Sequence, residues 1–111
     1  MLTNNLDQLR KASREGYAIP AINTQGGNYD IIMGICKAAE ELKSPIILAH
    51  YVSTGAFSGH DWFVNVAKWC AGKVSVPVSI HLDHGDGFPI CMEALRLGFT
   101  SVMIDGSTRP I

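Results

Sequence analysis

The residues with the most chemical potential in this sequence are crowded into His81-Leu82-Asp83-His84. A carboxylate flanked by imidazoles can move a proton at one atom while a neighbouring ring nitrogen holds a divalent ion. Two further polar residues end apolar runs as this motif does: Asn23 after Tyr17 to Ile22, and Asp105 after Ser101 to Ile104. Elsewhere the candidates thin out. His50 and His60 lie in or beside a Gly/Ser/Thr-rich stretch, where the expected state is a histidine solvated at the surface. Gly85-Asp86-Gly87 lacks the G-x-G-x-x-G pattern and Gly26-Gly27 lacks the lysine of a P-loop, so neither supports nucleotide binding. Cys36, Cys70 and Cys91 are odd in number and far apart, with no C-x-x-C spacing, and are expected to be reduced.

For the polar groups to meet, the chain must carry them to one place, and its patterning supplies the elements. Leu6, Leu9 and Ala12 predict a short helix from Leu6 to Glu15, stopped by Gly16. The run Tyr17 to Ile22 predicts a strand. Asn28 is placed to cap a helix reaching about Leu42, since Ile31, Ile32, Ile35, Ala38, Ala39 and Leu42 recur at three- and four-residue steps. Pro45 to Ala49 is unbroken apolar sequence, as in a strand buried on both faces. A loop is expected through Gly59, then a helix from Asp61 to about Ala71 and a strand from Val76 to Leu82. Pro89 opens a last helix that Gly98 ends, before a strand from Ser101 to Ile104.

That order predicts a parallel α/β protein with right-handed crossovers. Strands recur about every 28 residues, so a closed eight-unit barrel would require roughly 200 to 250 residues, about twice the 111 present. The expectation is therefore a small open sheet or an incomplete barrel. Along the third strand, Val78, Ile80 and Leu82 share one face and Ser79, His81 and Asp83 the other. The same parity groups Asn23 with Ile19 and Ala21, and Asp105 with Ser101 and Met103. Three polar strand ends thus converge on the C-terminal rim, where barrels and open sheets build their sites. Polar groups on buried parallel strands are costly unless paired, which favours a shared site. Plainer roles remain open at this point. Asp83 and Asp105 could cap the following helices, Asn23 could bridge backbone groups, and His84 could be a satisfied loop histidine. His81 is read as a hydrogen-bond partner supporting the site in preference to a ligand.

Composition narrows the classes. With 47% hydrophobic and 17% charged residues, the chain suits one modest core. A net charge of -1 and no Lys/Arg run leave nothing to neutralise nucleic-acid phosphates or anionic lipid, so neither partner is expected. No apolar run approaches the roughly 20 residues of a membrane span, and the start Met-Leu-Thr-Asn-Asn-Leu-Asp lacks a signal-peptide pattern. A cytoplasmic location is the expectation.

Five ordered segments then carry a resemblance: Gly16-Tyr17-Ala18-Ile19-Pro20-Ala21-Ile22-Asn23, Ala38-Ala39-Glu40, Ser44-Pro45-Ile46-Ile47, His81-Leu82-Asp83-His84-Gly85, and Gly98-Phe99-Thr100-Ser101-Val102-Met103-Ile104-Asp105-Gly106-Ser107. Together they resemble the class II fructose-bisphosphate and tagatose-bisphosphate aldolases over almost the whole chain. The resemblance implies the N-terminal half of a TIM (β/α)8 barrel with about four parallel strands, residues 1–111 being a partial barrel whose C-terminal half is absent. It implies reversible cleavage of a phosphorylated ketose, fructose- or tagatose-1,6-bisphosphate, into dihydroxyacetone phosphate and glyceraldehyde 3-phosphate. A divalent ion, usually zinc, would act as Lewis acid, with a monovalent cation as a further implied cofactor. By position, Asp83 resembles the acid/base acting on the C4 hydroxyl and His84 a metal ligand. Asp105 resembles a carboxylate near the metal that serves a second cation site, and Asn23 a contact to the bound triose. The full-length protein is expected to be a homo-oligomer.

The sequence departs from the family pattern in two ways. Tyr51, with His50 beside it, stands where the family has a small residue contacting substrate. The family's other two histidine ligands, its phosphate-binding glycine loops and a second acid/base lie beyond Ile111. A catalytic zinc generally has three protein ligands, so the chain alone is expected to be inactive. The competing expectations are a non-catalytic half-barrel assembly or binding module, and a barrel isomerase or epimerase acting on phosphorylated sugars.

Overall fold

The helices start and stop where local chemistry dictates. In the computed structural model, which describes residues 1–110, the Asn4 side chain accepts from the Leu6 N–H to open α1 (Asn5–Glu15). Gly16, at φ 74°, ends that helix in the left-handed conformation glycine tolerates best. Asn28 accepts from the Ile31 N–H to open α2 (Tyr29–Glu41). Pro89 sits in the first turn of α5 (Phe88–Leu97), where its missing N–H costs nothing, and Gly98 closes it at φ 104°.

Four strands, β1 (Ala21–Asn23), β2 (Ile46–Tyr51), β3 (Val78–Gly85) and β4 (Ser101–Ile104), form one parallel sheet in that order. This is the half-barrel arrangement expected from the sequence, with β1 and β4 at the edges. Register fixes which side chains share the inner face. Asn23 lies beside Ala49, Ala49 beside His81, Tyr51 beside Asp83, and His81 beside Ser101. The opposite face supplies Leu48, Val78, Ile80 and Leu82, all fully buried against Ile32, Cys36, Phe63, Ala67, Cys70 and Ala94 of the surrounding helices. All three cysteines are free, as expected, and the fold buries each of them.

Beyond shifts of one or two residues at element ends, three differences from the expectations bear on the site. β1 begins at Ala21 and not at Tyr17, because Pro20 has no N–H to give the ladder. β3 continues past Leu82 to Gly85, because Gly85 pairs with Ile104 across a register shift. The stretch expected to be a loop contains α3 (Val52–Ser58), followed directly by α4 (His60–Ala71). Its hydroxyls help to hold it: Thr54 Oγ1 donates to the Tyr51 carbonyl at 2.8 Å and Ser58 Oγ to the Thr54 carbonyl at 3.0 Å.

The chain start ties α1 to the far end of the sheet. Thr3 donates its N–H to the Val78 carbonyl, and the Val78 N–H donates to the Met1 carbonyl. Asn5 is thereby brought to the inner face, opposite the rim that carries Asp83.

Candidate functional site

At the C-terminal rim the sequence departs from simple alternation. The register between β3 and β4 shifts between Leu82 and Gly85, and His84 adopts a left-handed φ of 55°. A bulge of this kind re-aims side chains next to a site. Asp83 keeps its inward place beside Tyr51, while His84 turns onto the rim with its side chain half exposed. His84 Nδ1 lies 2.8 Å from Asp105 Oδ2, and its Nε2 is 3.9 Å from Asp83 Oδ1. Asp105 Oδ1 accepts from the Ser107 N–H at 2.8 Å.

These bonds set the charges. Hydrogen bonds from Ser107 and from His84 hold the Asp105 carboxyl well below the usual carboxylate range. The bond to Asp105 pushes the His84 pKa up. With Nδ1 committed to a carboxylate, Nε2 is the nitrogen left to face a ligand. That is how metal-binding histidines are commonly oriented. His84 therefore fits one position of a metal site. Among the described residues no three His, Cys, Asp or Glu side chains form a complete one.

Asn23, Gln25, Tyr51, Thr54, Asp83 and His84 line one cavity of about 250 Å³. The structure thus brings Asn23, Asp83 and His84 together, with Asp105 one hydrogen bond behind His84. His81 lies deeper, its Nδ1 2.8 Å from Ser101 Oγ, and burial lowers its pKa. It is not among the residues lining the cavity. The capping role left open for Asp83 is not adopted, since Gly87 precedes α5 without a side-chain cap. Asp105 instead closes a short turn with Ser107.

The expectation for His50 and His60 is corrected. His50 is fully buried, stacked on Phe63 at 4.1 Å between ring centroids, with Nε2 3.2 Å from His60 Nδ1. His60 is half-buried. The physical reason is alternation: His50 shares the helix-facing side of β2 with Ile46 and Leu48, and α3 folds over it. Burial, and secondarily the neighbouring His60, lower its pKa to about 4. Gln25 and Thr54 are cavity residues that sequence reasoning missed. Thr54 belongs to α3, so a helix assignment there would have found it; nothing in the local pattern marks Gln25.

Known proteins resemble this chain in sequence and in fold. A family model described as class-II fructose-bisphosphate aldolase matches residues 3–111. The fructose-bisphosphate aldolase of Thermus caldophilus is 46% identical over 108 residues, covering 96% of this chain and 34% of the relative. The probable fructose-bisphosphate aldolase of Bacillus subtilis is 42% identical over 114 residues, covering 98% and 39%. Among solved structures, the YdjI aldolase of Escherichia coli K12 superposes with a TM-score of 0.88 at 33% identity, covering 96% of this chain and 40% of that one. A putative fructose-1,6-bisphosphate aldolase from Coccidioides immitis gives 0.81 at 30% identity, over 95% and 36%. The chain spans well under half the length of each of these proteins. On the family model and the identity to its relatives, this chain belongs to the class II fructose-bisphosphate aldolase family.

Proposed function

We propose that residues 1–111 form a partial barrel domain supplying the first half of a metal-dependent ketose-bisphosphate aldolase site. The observation that carries this reading is the shared cavity of Asp83 and His84, with His84 Nδ1 held by Asp105. His84 Nε2 would hold a divalent ion, zinc by family resemblance, together with ligands from the remainder of the barrel. When bound, that ion supplies Lewis-acid polarisation of the substrate ketone. Asp83 takes the proton from the C4 hydroxyl as the C3–C4 bond breaks, and returns it in the condensation direction. Asn23 hydrogen-bonds the triose phosphate, and Asp105 orients His84 while serving a second cation, monovalent or divalent, beside the first. The substrate is fructose- or tagatose-1,6-bisphosphate, the full-length protein is a cytoplasmic homo-oligomer, and the 111 residues alone are inactive. No helix is long and apolar enough to cross a membrane among the described residues.

The test is a barrel completed by joining this chain to the C-terminal part of the Thermus caldophilus relative. Cleavage of fructose- or tagatose-1,6-bisphosphate that stops on chelation and returns with zinc is the expected result. Isomerised product without carbon–carbon cleavage, or cleavage indifferent to chelation, would overturn the reading.

A further inference from the structure

We infer that Asn5, the first residue of α1, is a positioning residue that fixes His81 as a neutral ring with its proton on Nε2. The inference rests on a chain of four side chains beneath the rim cavity. Ser79 is fully buried on the inner face of β3, and among the described residues Asn5 is its side-chain hydrogen-bond partner. A buried hydroxyl needs an acceptor for its proton, and the amide oxygen of Asn5 is the acceptor present. Asn5 Oδ1 therefore accepts from Ser79, which turns the amide nitrogen toward Ser101. Asn5 Nδ2 lies 2.9 Å from Ser101 Oγ and donates to it. Ser101 Oγ then gives its own proton to the remaining partner, His81 Nδ1, at 2.8 Å. An imidazole that accepts at Nδ1 and is neutral carries its proton on Nε2. Running the chain in the opposite direction would strand the buried Ser79 proton without an acceptor. Burial, opposed in part by the charge of Asp83, also lowers the His81 pKa, in the direction that favours a neutral ring.

The consequence deepens the proposed function and rests on it. His81 lies two residues below Asp83 on the same inward face of β3. A ring with N–H at Nε2 offers a donor there and no lone pair, so it does not compete with Asp83 for the substrate proton. The residue imposing this comes from α1, outside the sheet, held in place by the pairing of Thr3 and Met1 with Val78.

The test is long-range 1H–15N correlation NMR of the 111-residue chain labelled with 15N-histidine at pH 7, with His81 assigned by the signals missing in His81→Gln. The expected spectrum shows His81 protonated at Nε2 and unprotonated at Nδ1. Asn5→Asp leaves only acceptors facing Ser79 and Ser101, so Ser101 must accept from His81 and the proton moves to Nδ1. Ser101→Thr keeps the hydroxyl and preserves the Nε2–H form; Ser101→Ala removes the bias. Wild-type His81 protonated at Nδ1, or a folded Asn5→Asp protein with unchanged tautomer, overturns the inference. If Asn5→Asp does not fold by circular dichroism, the wild-type spectrum decides alone. No substrate or metal enters the measurement, so loss of the aldolase reading would leave the tautomer result standing and remove only its meaning for Asp83.

Discussion

At the scale of single residues, His50 is an ionisable ring enclosed by Phe63, Phe99 and His60, and its neutrality is a condition of the fold. Its pKa falls from 6.5 to about 4. As pH drops below 6.5 the unfolded chain takes this proton first, so the contribution to stability is full above that value and is lost toward pH 4. Urea unfolding should show a loss on the order of 2 kcal/mol from His50 between pH 7 and pH 4.5. His84, with a raised pKa, works in the opposite sense, so the difference between wild type and His50→Leu isolates the effect. Equal pH slopes in the two proteins would contradict it. Gly55 is bound to the same pair: a Cβ there would overlap both imidazoles. Gly55→Ala should cost about 1–3 kcal/mol in the same assay, and an unchanged unfolding midpoint would refute the packing. Residue by residue, legibility follows the strand period. Asp83 can be read because Val78 to Asp83 alternates cleanly, whereas the placement of His84 depends on a left-handed φ that no composition announces. The same parity, carried along Ile46 to Tyr51, points His50 at the helices, but the Gly/Ser/Thr-rich sequence beside it signals a surface loop instead.

At the scale of elements, the site depends on how firmly helices and connections hold the strands. Glu40, in the last turn of α2, accepts from the Ser75 N–H at 2.7 Å, from Ser75 Oγ at 2.7 Å and from the Val76 N–H at 3.1 Å, clamping the approach to β3. Ser75, with help from Lys43 and the backbone of Val76, lowers its pKa to about 2. The clamp is therefore complete above the ordinary carboxylate range near 4.5 and is lost as pH falls toward 2. In Glu40→Ala, hydrogen exchange at the Ser75 and Val76 amides should accelerate at least about tenfold while the Leu82 amide is unaffected; unchanged exchange at all three would contradict the clamp. The helices α1, α2 and α5 are legible because their signals are local: Asn28 at the start of α2, Pro89 in the first turn of α5, and Gly16 and Gly98 at the ends of α1 and α5. α3 is not, since hydroxyl bonds to backbone carbonyls and a close crossing over His50 hold a sequence whose composition suits a loop. The Glu40 clamp joins residues 35 apart, beyond the reach of any periodicity.

At the scale of the whole molecule, the strand order and spacing make a parallel sheet with crossover helices readable, as a small open sheet or an incomplete barrel, because such an order leaves few topologies. The family resemblance is what narrows it to half of a (β/α)8 barrel. What the order cannot convey is the condition of the ends. Among the described residues β1 and β4 have no strand partner along their outer sides, and Ile22 and Ile104 are 41% and 60% exposed. Such edges invite pairing with another chain. Sedimentation of residues 1–111 should show association that grows with concentration and is reduced by Ile104→Lys; a monomer at every concentration would contradict this. The central claim, that Asp83 handles the reacting proton while His84 holds the metal, is tested most directly in the barrel completed with the Thermus caldophilus segment. Asp83→Asn there should lower the rate of ketose-bisphosphate cleavage at least about a hundredfold with the metal content unchanged. Cleavage by Asp83→Asn within about threefold of the unmutated barrel, a range too small for the loss of a general acid–base group, would contradict the claim.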